Sequence, residues 1–444
     1  MTEITLQIYL DGSWHDAAVL DISAPERGIA SPTVMSGYEL DYYAEQASID
    51  FSAGTEVIDI RALSVGIPAN IAHKRWEGWP PFLLDLMPQG NARRRLAGLL
   101  NVDEDDPAAE LPILLRGAGA PIGNIRVKEA WLDEERRIGE AMGNGALIGV
   151  QLQDIINRTD AFMAAVDQYG LVASGSSGVQ GEWPKILMTQ SSDNLWYPDP
   201  CVADEGAKSH VIVKLDRVQS PEFLKILEAE APYLEVARAF GTRTAAPLRY
   251  ENGVLIIPRF DRRVSPGSVE RFGQESLVSA IGVAKFGHIA AHETYVQAIA
   301  DFSTDAESDV KEYLLRDLLN RAMGNPDNHG RNSALQKMPD GSVRLSPLYD
   351  FAPMRMSPDL VIRSTKWACM GAPEHTPDWN EICAAVSEIS GVAKEDLIAF
   401  LRGKEDLLRN LPEIAREKGV SVEVIERAFR IDGAVAGILA LRDE

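Results

Sequence analysis

The sequence predicts an α+β chain in two lobes, a strand-rich N-terminal half carrying an extra N-terminal subdomain and a mostly helical C-terminal lobe. Three observations predict it. Short alternating or apolar runs with strand character dominate up to about Phe260. Beyond about Gly273 the apolar residues recur at helical spacing. Between and behind these halves, a small set of polar side chains has the order and spacing of a single reaction site. The divisions fall at residues 1–135, 136–265 and 266–444, and no internal repeat is present.

The first subdomain opens on Ile4-Thr5-Leu6-Gln7-Ile8-Tyr9-Leu10, which alternates and ends at Asp11-Gly12, a hairpin signal. Helical readings fit Pro81 to Met87 and Asn91 to Leu100, and the acidic stretch Asp103 to Asp106 reads as a solvated loop. A charged segment around Asp133 to Arg137 leads into the second region. There Trp183 to Met188, His210 to Leu215 and Val254 to Phe260 read as strands. A helix from about Glu222 to Phe240 is closed by Gly241. In the last region, helices are expected over Ser276–Ala284, Thr294–Ala300, Val310–Met323, Trp379–Ile389, Lys394–Phe400 and Val422–Ile431.

Composition narrows the function. The 444 residues, 45% hydrophobic and 25% charged, suit a sizeable core in two or three domains. A formal net charge of -22 disfavours unaided binding of nucleic acid. Three separated cysteines, Cys201, Cys369 and Cys383, with no CxxC pair, fit a reducing cytoplasm. No signal-peptide pattern or apolar run of membrane-spanning length occurs.

The chemistry concentrates in Gly324-Asn325-Pro326-Asp327-Asn328-His329-Gly330-Arg331-Asn332 and Pro347-Leu348-Tyr349-Asp350-Phe351. An Asp, an Asn five positions on, and an Asp closing an apolar run form the layout of a protein-kinase-like site. Phosphoryl transfer asks the protein for in-line positioning and charge neutralisation rather than covalent work. Asp327 would orient the attacking hydroxyl. Asn332 and Asp350 would offer a neutral and an anionic oxygen to Mg²⁺. Turns are also rich in Asp, Asn and Gly for backbone reasons alone, so the assignment rests on order, spacing and the upstream elements together.

Lys214 closes a strand-like run, where a lysine can meet nucleotide phosphates. Glu228 and Glu230 in the following helix are available to hold it, and Glu230 is the choice. Ser174-Gly175-Ser176-Ser177-Gly178-Val179-Gln180-Gly181 is a small-residue loop whose amides and hydroxyls suit phosphate, although it is neither a Walker loop nor G-x-G-x-x-G. Lys185 just beyond it either assists with phosphates or is simply exposed. After the last N-lobe strand, backbone groups of Pro258 and Phe260 would face adenine. Asp261 would either reach the ribose or pair with Arg262. His288 and His292 lie one helical turn apart, but lack the HExxH context and a third ligand.

These blocks resemble the HipA toxin-kinase family. The resemblance rests on Ser177 to Gln180, His210 to Leu215, Arg259 to Arg262, Gly324 to Asn332 and Pro347 to Phe351, with Pro80 to Gly90 similar to the family's N-terminal subdomain. It implies a cytoplasmic bacterial Ser/Thr protein kinase of a toxin–antitoxin pair. Such a kinase uses ATP and Mg²⁺ to phosphorylate an aminoacyl-tRNA synthetase, and a HipB-like DNA-binding antitoxin neutralises it. It also implies Asp327 as base, His329 as its companion, Asn332 and Asp350 as metal ligands and Lys214 as the phosphate lysine. Family members autophosphorylate a serine in the Gly-rich loop. Here Gly175 falls at that position, and Ser176 is the nearest choice among Ser174, Ser176 and Ser177. Two other readings remain. One is a small-molecule phosphotransferase, disfavoured because Asn325-Pro326-Asp327 replaces His-Gly-Asp. The other is an inactive kinase-like partner of a DNA-binding antitoxin, disfavoured by the intact polar set.

Overall fold

The structure, a computed structural model, describes residues 1–45, 57–143, 148–165, 185–216, 220–371 and 377–441. The N-terminal subdomain is built on an antiparallel sheet of β1 (Thr2–Leu10), β2 (Ser13–Ile22), β3 (Thr33–Tyr38), β4 (Lys74–Trp76) and β5 (Ile125–Val127), in the order β4-β3-β2-β1-β5. Leu10 pairs with Ser13 across the two-residue turn. Asp11 and Gly12 both take positive φ there, 46° and 84°, the conformation that a tight hairpin demands. Ile4, Leu6, Ile8 and Leu10 are buried in a core shared with the helices of this subdomain. The predicted Pro81–Met87 helix is a 3-10 turn over Pro81–Asp85. The predicted boundary at residue 135 lies inside a continuous helix, Lys128–Gly143.

A second antiparallel sheet follows: β6 (Lys185–Ser191), β7 (Trp196–Pro198), β8 (Ala207–Leu215), β9 (Arg249–Glu251) and β10 (Val254–Pro258), ordered β7-β6-β8-β10-β9. Its two faces differ, as period-two alternation requires. Ile186, Met188, Val211, Val213, Val254 and Ile256 pack into one core with Ile155 and Phe162. Lys185, Ile212 and Ile257 line a cleft on the opposite face. Register places Lys185 opposite Lys214, and Lys214 opposite Leu255.

Helix α1 (Pro221–Ala239) crosses between the lobes. Pro221 opens it at a position where a missing N–H costs nothing. Its buried Phe223, Ile226 and Tyr233 belong to the core of the C-terminal lobe. Tyr233 donates to the Met323 carbonyl at 2.9 Å and its ring meets Phe351 at 5.4 Å, so the helix is tied to both ends of the polar loop region.

The C-terminal lobe is mainly helical, with α2 (His292–Phe302), α3 (Ala306–Ala322) and α4 (Trp379–Ser390) in its core and shorter helices behind them. It also carries a three-stranded sheet: β13 (Gly273–Ser276), β14 (Ala334–Lys337) and β15 (Val343–Leu345), reached through the hairpin β11 (Arg262–Ser265) and β12 (Ser268–Arg271). The helix expected over Ser276–Ala284 is therefore only Leu277–Ala280. Gly273 to Ser276 are held in strand pairs with Lys337 to Ala334, and Gly282 at φ 81° follows the short helix. The helix expected over Val422–Ile431 is two, Val422–Ala428 and Ile431–Leu439. Among the described residues, no helix is long and apolar enough to cross a membrane.

Candidate functional site

Lys214 is the centre of the cleft. β8 fixes its backbone between β6 and β10, and its side chain is 4% exposed. Its Nζ donates to Glu230 Oε2 at 2.6 Å and to Asp350 Oδ1 at 2.7 Å. The pairing with Glu230, from the middle of α1, matches the choice over Glu228. Two buried ionisable groups and a half-buried third in contact with them must balance one another, and here their states are interlocked. Burial works to raise the Asp350 carboxyl, but Lys185 and Lys214 outweigh it and hold the group well below the usual carboxylate range. Burial alone would lower Lys214, whereas Asp350 and Glu230 raise it. Burial pushes Glu230 up. Lys185 Nζ lies 3.6 Å from Asp350 Oδ2 with its side chain 8% exposed, so of its two sequence readings the exposed one is wrong.

Asp327 is presented by a loop whose shape is set locally. Helix α3 ends at Met323, and the Asn325 amide and side chain bond back to Asn320 at 2.8 and 2.9 Å. Asn325 Oδ1 in turn accepts from the Asp327 amide at 3.2 Å. Asn332 Nδ2 donates to the Asp327 carbonyl at 3.1 Å and its amide to the His329 carbonyl at 2.9 Å. The turn is thus closed at both ends, and with Nδ2 engaged the Asn332 side-chain Oδ1 is the atom that can offer a hard oxygen to a metal. Gly330 allows a close approach that no Cβ would permit, because the Tyr295 ring occupies that space. Burial raises the Asp327 carboxyl above its ordinary value. His329, with Nε2 3.5 Å from Asp327 Oδ1, works against that rise and Asp350 adds to it.

Asp350 follows the Tyr349 hydroxyl bond to the Arg331 carbonyl, 2.8 Å, and a parallel bridge between Leu348 and Thr244. It takes φ 52°, a conformation that costs a non-glycine residue free energy and recurs at functional sites. Lys214, Glu230, Asp327, His329, Asn332 and Asp350 all line one 500 Å³ outer cleft. Behind it lies a more apolar pocket lined by Ile212, Leu234, Leu248, Ile257, Phe260 and Leu348, which reaches Lys185, Asn332 and Asp350. A flat heterocycle with an anionic tail fits that division: apolar walls inside and cations near the mouth. The oxygen set of Asn332 and Asp350 suits Mg²⁺, which keeps waters and nucleotide oxygens as its other ligands.

Two expectations about the hinge need correction. Asp261 is 2% exposed and turned away from the pocket. Arg259 Nε reaches its Oδ1 at 2.9 Å and the Gly123 amide its Oδ2 at 2.9 Å, while Arg262 stands 3.9 Å off. Its oxygens are thus engaged by Arg259 and Gly123 rather than free for a ribose, and the expected ion pair with Arg262 is present at the longer distance. Arg262 also joins Asp199 at 2.8 Å, in a buried cluster with His210. Phe260 lines the pocket and its ring lies 5.8 Å from Tyr349, but its carbonyl is taken by Gln336 Nε2 at 3.1 Å and is not left free for the expected contact. Pro258 ends β10 opposite Val211 and is not among the pocket-lining residues. Ser176, Ser177, Gly178, Val179 and Gln180 lie outside the described residues. Asp261→Asn should destabilise the fold by about 2 kcal/mol, since it removes one of the two buried carboxylates that balance Arg259 and leaves Asp199 at 3.0 Å as the other, yet leave ATP affinity unchanged. Thermal melting and a nucleotide titration check this together.

The sequence reading missed Asp85 and Arg331. Asp85, from the N-terminal subdomain, accepts from the Ser276 amide at 2.9 Å, the Ser276 hydroxyl at 2.8 Å and Arg331 Nη1 at 2.6 Å. A subdomain more than two hundred residues away in sequence thereby braces the loop that carries Asp327 and Asn332. His288 lines the outer cleft, whereas His292 is buried, and among the described residues no group of three potential metal-binding side chains occurs.

His292 offers a pH test. Burial drives it down to about 4, against the pull of Asp317 and with help from Arg321 and Arg363. The native chain then leaves it neutral where the unfolded chain, near 6.5, takes a proton. Stability should fall as pH drops from about 6.5 to about 4, by about 3 kcal/mol from this group. Denaturant midpoints across that range, wild type against His292→Gln, measure the difference.

Fold and site together define a two-lobed, kinase-like protein. Residues 177–404, just over half of the chain, match the HipA-like C-terminal domain family, and the chain belongs to it. Among solved structures, it is similar to HipA in the Shewanella oneidensis MR-1 toxin–antitoxin complex of HipA, HipB and operator DNA. That match has 15% identity and a TM-score of 0.59, and covers 98% of this chain and 96% of that one. A second match, the Helicobacter pylori proinflammatory kinase CtkA, has 14% identity and a TM-score of 0.32 over 52% of this chain and 91% of that one, too low to carry an argument. Comparison with curated proteins finds no match.

Proposed function

We propose that this chain is an ATP-dependent Ser/Thr protein kinase of a HipA-type toxin–antitoxin pair. The observation that carries the reading is the convergence of Lys214, Glu230 and Asp350 within 2.7 Å contacts in the cleft that also holds Asp327 and Asn332. Lys214, released from Asp350 toward phosphate, would hold the nucleotide while Glu230 keeps it in place. Lys185 would add a second cation. Asn332 and Asp350 would hold Mg²⁺, which when bound neutralises phosphate charge and aligns the β- and γ-phosphates. Asp327 would accept a hydrogen bond from the acceptor hydroxyl, and the rise in its proton affinity suits that task.

The acceptor class proposed is an aminoacyl-tRNA synthetase, whose phosphorylation would stop translation, and the partner a HipB-like DNA-binding antitoxin. The HipA of the similar structure is found with HipB and operator DNA, which supports the partner. Phosphoproteomics of cells expressing the wild type or Asp327→Asn tests the reading. A synthetase serine or threonine phosphorylated only with the wild type is the expected result. Identical phosphoproteomes would refute it.

A further inference from the structure

The segment that follows Asp350 is fastened to the catalytic loop by residues that the proposed chemistry does not use. Asn328, next to Asp327, grips Thr365 on both sides of its backbone: Nδ2 donates to the Thr365 carbonyl at 3.0 Å and Oδ1 accepts from its amide at 3.3 Å. The Asn328 Nδ2 also faces His292 Nε2 at 3.3 Å, and the His292 amide donates to the Lys366 carbonyl at 3.0 Å. Below them Asp317, 2% exposed on α3, takes Arg363 Nη1 at 2.8 Å and Trp367 Nε1 at 2.9 Å from the same segment, and Arg321 Nε at 2.8 Å from its own helix. Glu293 holds the Ala368 and Cys369 amides at 2.9 Å. The stretch from Ser357 to Ser364 supplies Ser357, Asp359, Val361 and Ser364 to the outer cleft that Asp327 and His329 also line. It also keeps Leu360 and Ile362 82% and 81% exposed.

We propose that Asp317 and Asn328 are positioning residues that build the acceptor-facing wall of the cleft in advance, with no phosphate on the segment. In many kinases the corresponding segment is ordered only when a phosphorylated residue gathers arginines around it. Here a buried carboxylate gathers Arg321, Arg363 and the Trp367 N–H, so the fold itself supplies the anion. The wall so held is assigned to the acceptor and not the nucleotide because the side-chain bonds of Asp317 and Asn328 run to Arg321, Arg363, Trp367, His292 and Thr365 rather than to the Lys214–Glu230–Asp350 set. This inference rests on the kinase reading for its kinetic arm alone.

The test uses the full-length chain and two measurements. Hydrogen exchange is followed over residues 363–366 in wild type, Arg363→Ala, Arg363→Lys and Asn328→Ala. Transfer from Mg-ATP is followed with myelin basic protein, a basic probe suited to an acidic chain, alongside slow ATP hydrolysis. Arg363→Ala should speed exchange and raise the KM for the probe roughly tenfold, the loss of a charge-assisted bond, with KM for ATP and hydrolysis unchanged. Arg363→Lys should recover part of both, and Asn328→Ala should speed exchange at Thr365. Phosphatase-treated wild type should keep full transfer. Unchanged exchange in both alanine variants, a parallel fall in ATP hydrolysis for Arg363→Ala, or loss of transfer after phosphatase would overturn the proposal. A wild type that phosphorylates no acceptor counts against the kinase reading instead, and the exchange result still decides this one.

Discussion

Asp327→Asn is expected to lower phosphoryl transfer by about three orders of magnitude or more while leaving ATP affinity within about twofold of wild type. The Asn side chain keeps the size and one carbonyl oxygen, so the loop should hold its shape. The Asp327 amide bond to Asn325 and the Asn332 bond to the Asp327 carbonyl involve backbone atoms that the substitution does not touch. What disappears is the anionic acceptor for the hydroxyl proton. Single-turnover transfer and an equilibrium nucleotide titration separate the two effects. Toxicity on expression should be lost in parallel, and a fully toxic Asp327→Asn would place toxicity outside phosphoryl transfer.

Lys214→Met should have the second largest effect, on stability and chemistry together. Lys214 neutralises Glu230, 2% exposed, and Asp350 at once. Removing it leaves buried Glu230 without its main cation and Asp350 with Lys185 alone, at a cost of about 3–5 kcal/mol. Glu230, already pushed up by burial, loses the lysine that pulls it down. It should become protonated at a higher pH, so the variant should regain more stability on acidification than the wild type, and from a higher pH. The double variant Lys214→Met/Glu230→Leu should recover most of the stability and none of the transfer. Denaturant unfolding against pH, with transfer measured on the same samples, gives both outcomes. If the single and double variants were equally unstable, Glu230 would not be the group that Lys214 compensates.

Much of this arrangement was legible in the sequence because it depends on short-range rules. The Asp11-Gly12 turn, the apolar strand ending at Lys214 and the helix ending near Gly241 follow from local propensity and period. Glu230 was reachable because helical spacing places it two turns inside α1. The polar loop was legible because its residue types and intervals are set by the task rather than by packing. What escaped depends on which way a side chain faces or on pairing across long stretches of chain. Asp261 sits where a hinge should run, and only the arrival of Gly123 and Arg259 shows that it faces inward. The strand Gly273–Ser276 is four residues long and is created by its partner Ala334–Lys337, so no local pattern announces it. Asp85 meets Arg331 across 246 positions, an approach with no local signature. The tie between Asn328 and Thr365 is hidden for the same reason.

The central claim is that the cleft around Lys214 and Asp350 binds a magnesium-bound triphosphate. Calorimetric titration of ATP into the wild type and Asp350→Ala, with and without Mg²⁺, tests it most directly. The account predicts Mg²⁺-dependent binding at one site in the wild type and its loss in Asp350→Ala, with the variant still folded. Binding in the wild type that is indifferent to Mg²⁺ and to Asp350, or no binding at all, would contradict it.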